Sequence, residues 1–84
     1  MVTVDSLKLK YLLNNLIKFS EERSDNQGLV VYRNILLRMD ECENEKQLVN
    51  IVGLLKKALA GMEAHGFFSN EELVVVDQIK NIDL

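Results

Sequence analysis

The sequence predicts an all-α fold: a small antiparallel four-helix bundle, one domain over residues 1–84. Three observations carry that expectation. Apolar residues recur every three or four positions through most of the chain, the spacing that gathers them on one stripe of a helix. Polar cap residues spell out helix starts, and the chain has no proline to break the helices that those caps open. The connections are short enough to lay neighbouring helices antiparallel.

The first helix can be capped by Asp5 or Ser6. Leu9, Leu12, Leu13, Leu16 and Ile17 form its stripe, with Phe19 at the edge. Asp5-Ser6-Leu7 matches the attachment-serine motif of acyl carrier proteins. In carriers that motif follows a complete first helix, whereas here it opens one. Ser20 to Gly28 is polar and reads as the first connection, with Asp25 or Asn26 able to cap the second helix.

The second helix is expected from Gln27 to Glu41. Leu29, Tyr32, Ile35, Leu36 and Met39 face inward, with Val31 beside them. Val30 and Leu37 miss that stripe and share a second line about 100° away. They are either scattered surface hydrophobes, which need no explanation, or a contact surface for a partner. Asp40, Glu41, Glu43 and Glu45 cluster around the next turn. They lack the alternation and the glycine of a calcium loop. Solvated charge near a helix start accounts for them.

Asn44 can cap the third helix, with Gln47 completing a capping box. Leu48, Ile51, Val52, Leu55, Leu59 and Met62 make its stripe, bordered by Ala58. Gly53, Lys57, Ala60 and Ala64 lie together on the outer face, near Gly61. Small residues there either sit in solvent or admit another backbone closely. The helix stops at His65-Gly66, where glycine tolerates the left-handed conformation and histidine suits the dipole.

Ser69-Asn70-Glu71-Glu72 is a capping box, and Phe68 with Leu73 has the spacing of a hydrophobic staple. Phe67 and Phe68 should plug the core at this corner. The last helix is expected from Glu71 to Ile82, with Leu73, Val76 and Ile79 sharing a face. Val74-Val75-Val76 favours a strand on propensity; the box and staple decide for helix.

Composition narrows the function. A net charge of −3 leaves no basic excess for a nucleic-acid binder driven by phosphate contacts. No apolar run approaches the roughly 20 residues of a membrane span. The first five residues lack a signal-peptide layout, so a cytoplasmic protein is expected, one that can touch a membrane protein from inside. Cys42 is the one cysteine and His65 the one histidine, and they belong to different helix ends. A nucleophile–base dyad, a glycine-rich phosphate loop and metal-ligand spacing are all missing from the pattern. Paired carboxylates occur in runs that read as exposed. We therefore expect no enzyme, no cofactor and no metal site.

One family resemblance covers residues 44–80. Gln47-Leu48-Val49-Asn50, Ala58 to Ala60, Gly66-Phe67-Phe68-Ser69, Glu71-Glu72-Leu73 and Ile79 resemble the second half of the immunity proteins of class IIa bacteriocins. The polar first loop and short second helix fit in layout. The resemblance implies an antiparallel four-helix bundle in the cytosol. It also implies a binding mechanism: recognition of a bacteriocin-occupied sugar permease of the mannose phosphotransferase type, protecting the producer cell. A different reading is a regulatory or adaptor module that binds a protein partner, or a second copy of itself as a homodimer, through a helix face. Val30 and Leu37, and the face of Gly53, Lys57 and Ala60, are the candidate partner-binding residues.

Overall fold

A computed structural model describes residues 4–24 and 26–82. It contains four helices: α1 (Val4–Glu22), α2 (Asn26–Asp40), α3 (Glu45–Ala64) and α4 (Asn70–Lys80). Among the described residues there is no strand. Packing follows a square: α1 lies against α2 and α4, and α3 closes the other side against the same two. The α1–α2 contact is the most extensive and the α3–α4 contact the sparsest.

The expected stripes form the core. Leu9, Leu13 and Leu16 of α1, Tyr32 and Met39 of α2, Leu48, Val52, Leu55 and Leu59 of α3, and Val76 and Ile79 of α4 are all essentially inaccessible. Ile17, Phe19, Val31, Leu36, Ile51, Met62 and Phe68 pack around that centre, partly buried. Burial of a large aliphatic side chain contributes roughly 1.5–3 kcal/mol, so stripe geometry dominates the stability of each helix. It also explains α4. Val75 and Val76 are buried, which outweighs the few tenths of a kcal/mol by which valine disfavours a helix.

Ion pairs stitch the rim. Lys10 Nζ donates to Asp40 Oδ1 at 2.7 Å, and Arg33 approaches Glu21 at 3.9 Å. Both of these bridges join α1 to α2. Lys80 donates to Glu63, and Lys56 Nζ donates to the Ile82 carbonyl at 2.7 Å.

Four local expectations need correction. Asp5 and Ser6 lie inside the first turn of α1 and cannot be its N-cap. Ser6 is buried, so it is no exposed attachment serine. Ser20 to Glu22 belong to α1, because Ser20 continues the inward stripe at zero exposure. Its Oγ has no hydrogen-bond partner among the described residues. On α4, Leu73 is only half-buried, and Glu72 and Val75 take the inward face with Val76 and Ile79. Finally, Gln47 Oε1 accepts from the amide of Glu43, at 2.8 Å, where the capping box expected the cap residue's own amide. Asp25 lies outside the described residues; helix α2 begins at Asn26.

Candidate functional site

Candidate residues fall on two outward helix faces. On α2, Val30 is 67% exposed and Leu37 57%. They are seven positions apart, two turns of helix, so they stand on one line facing away from the core. On α3, Gly53, Lys57 and Ala60 are exposed opposite the buried Leu48–Leu59 stripe. A methyl group added at Gly53 would meet nothing within 4 Å. The structure therefore places all five predicted residues at the surface, in two sets on separate helices.

Further exposed apolar residues escaped the sequence reading: Leu7 and Tyr11 on α1, Val49 and Leu54 on α3, and Val74 on α4. The signal for the first two was present, since residues four apart on a helix are neighbours and neither belongs to the stripe. Leu54 has a structural setting. It borders an open groove of about 550 Å3 between the end of α2 and the first half of α3, lined also by Arg38, Glu41, Cys42, Gln47 and Asn50. Cys42 is buried there, and its backbone amide donates a hydrogen bond to the Met39 carbonyl.

Among the described residues, the α3–α4 corner carries the most elaborate polar structure. Helix α3 ends in a Schellman motif. The Phe67 amide donates to the Met62 carbonyl and the Gly66 amide to Glu63, with Gly66 at φ +69°. Helix α4 then starts in a complete capping box: Ser69 Oγ accepts from the Glu72 amide, and Glu72 Oε1 accepts from the Ser69 amide at 3.0 Å. Glu72 closes the box as expected, and its side chain has zero exposure. Arg23, just beyond α1, explains this. Its guanidinium donates to Glu72 Oε2 at 2.9 Å and to the Phe67 carbonyl at 3.1 Å, and lies 5.3 Å from the centre of the Phe67 ring. Phe67 meets Phe68 edge to face at 5.5 Å. Of the two aromatics, Phe68 packs on the core, whereas Phe67 carries the cation. A long-range pair such as Arg23 with Glu72 leaves no local trace in a sequence.

Reactive side chains stay apart. Cys42 precedes α3 and His65 caps its far end, so a 20-residue helix of roughly 30 Å separates them. Among the described residues, no three His, Cys, Asp or Glu side chains gather to hold a metal ion. Asp40 of the acidic cluster is engaged with Lys10. No helix among those described is long and apolar enough to cross a membrane. Compared with protein-family models, curated proteins and solved structures, the chain matches none.

Proposed function

We propose that this protein works by binding another protein, without catalysis, as an immunity protein of the class IIa bacteriocin kind. Its partner would be a bacteriocin-occupied sugar permease, met from the cytoplasmic side. The observation that carries the binding role is the outward Val30–Leu37 line: two large apolar side chains, each more than half exposed, on a helix whose other apolar residues face in. Exposed apolar area of this sort gains free energy, roughly 25 cal/mol per Å2, when a partner covers it. The immunity reading is supported by the capped α3–α4 corner, which adopts the helix–turn–helix form that the resemblance implies. Expression in a bacteriocin-sensitive strain tests it. Protected cells should survive a class IIa peptide, and Val30→Asp with Leu37→Asp should abolish survival while leaving the helical circular dichroism intact. Undiminished killing by every class IIa peptide tried would refute the immunity reading.

The outer face of Gly53, Lys57 and Ala60 favours a second reading, an adaptor that binds a partner or a second copy of itself. With no side-chain bulk at Gly53 and little at Ala60, another helix can approach closely there. Light scattering of the wild type and of Ala60→Glu separates the two cases. A dimer that the substitution dissociates supports self-association; a wild-type monomer at all concentrations removes it.

A further inference from the structure

We infer that α4 is a clasped flap: an element that opens as one unit about the Gly66–Ser69 corner while α1, α2 and α3 stay folded, with Arg23 as its clasp. The inference rests on packing and does not depend on the partner reading. Helix α4 is the shortest of the four, at 11 residues, below the roughly 12–15 at which an isolated helix becomes even marginal. Its Val74–Val76 run weakens it further once it leaves the core. It therefore cannot persist undocked, and its stability comes from α1 and, more sparsely, from α3.

The linker suits a swing. Gly66 already holds a left-handed backbone, and residues 67–69 are outside any helix. Opposing the swing, Arg23 reaches across from the end of α1 to the Phe67 carbonyl, the Phe67 ring and the Glu72 carboxylate, while Lys80 with Glu63 and Lys56 with the Ile82 carbonyl tie the far end to α3 at the rim. That carboxylate has no exposure when the flap is closed. Removing the guanidinium strips the Glu72 carboxylate of its cation and α4 of its tie to the end of α1. Opening uncovers Val75, Val76 and Ile79 together with the α1 surface they cover. Sub-global units of this kind open at lower free energy than the whole domain.

Native-state hydrogen exchange on the full chain tests the flap. In the wild type, amides of 74–80 should exchange through an opening that is at least tenfold more frequent than the one exposing 12–16 and 35–39. Arg23→Ala should raise exchange in α4 by a further tenfold or more relative to α1 and α2. Arg23→Ala combined with Glu72→Gln, which removes the stranded charge while keeping an acceptor for the Ser69 amide, should recover part of the loss. A single shared opening for all four helices in the wild type overturns the flap, even if the variants fail to fold. A uniform rise across the chain in Arg23→Ala overturns the role of the clasp.

Discussion

The two junctions at either end of α3 use the same local grammar and reach opposite outcomes. Each ends one helix, places a polar N-cap, and sets a hydrogen-bonding side chain three residues later. At the α2–α3 junction Asn44 caps, and the Gln47 oxygen accepts from the Glu43 amide. Everything in that arrangement is exposed, and an open groove lies beside it. At the α3–α4 junction Ser69 caps, Glu72 closes the box, and the Glu72 side chain is sealed against the core. Local sequence is not what separates them. Arg23 comes from 44 residues away in sequence to reach Phe67, and its charge lets Glu72 go under. At the other junction the long-range ion pair is Lys10 with Asp40, whose carboxylate side chain is still 65% exposed. Capping starts a helix; a partner from elsewhere in the fold decides whether the cap is buried.

That contrast can be broken in order of expected effect. Arg23→Ala should cost about 2–3 kcal/mol in urea unfolding, somewhat under the roughly 3–5 of a fully buried pair because Arg23 keeps a third of its side chain in water. A loss below about 0.5 kcal/mol would make the α3–α4 seal no stronger than a surface bridge. Cap removal comes next. Ser69→Ala should lose about 1–2 kcal/mol and Asn44→Ala about 0.5–1 kcal/mol, since only the first unpicks a buried network. Equal losses, measured side by side, would show that burial adds nothing to the cap. Gly66→Ala should cost about 1 kcal/mol through backbone conformation alone, because a Cβ there meets no atom within 4 Å. A thermal midpoint unchanged to within a degree would contradict the left-handed turn. The smallest change belongs to Lys10→Gln, about 0–1 kcal/mol, which 1 M salt should erase as it screens the exposed pair. Salt-independent loss would mean that the α2–α3 side is more enclosed than its exposure indicates.

Much of the architecture was legible in advance. The spacing of Leu9 to Ile17, Leu29 to Met39 and Leu48 to Met62 predicted three stripes, and all three face the core or its edge. The glycine stop and the Ser69 box were readable because their partners lie within five residues. Val30, Leu37, Gly53, Lys57 and Ala60 were readable as surface because each misses its helix's stripe. Periodicity says which side of a helix faces out and not what meets it. Ser20 and Glu72 are polar residues at inward positions, and hydropathy sends them outward. Leu73 yielded the inward face of α4 to Val75 because docking against α1, with the Glu72 carboxylate turned in, set the helix's rotation.

Sequence alone determined roughly where helices begin and end and which edge of each turns inward, because caps and stripes are made by residues within two turns of one another. Tertiary structure alone decided which charges sink. Burying a carboxylate is unfavourable by several kcal/mol until a cation arrives to meet it. For Glu72 that cation is Arg23, brought by the packing of α1 against α4.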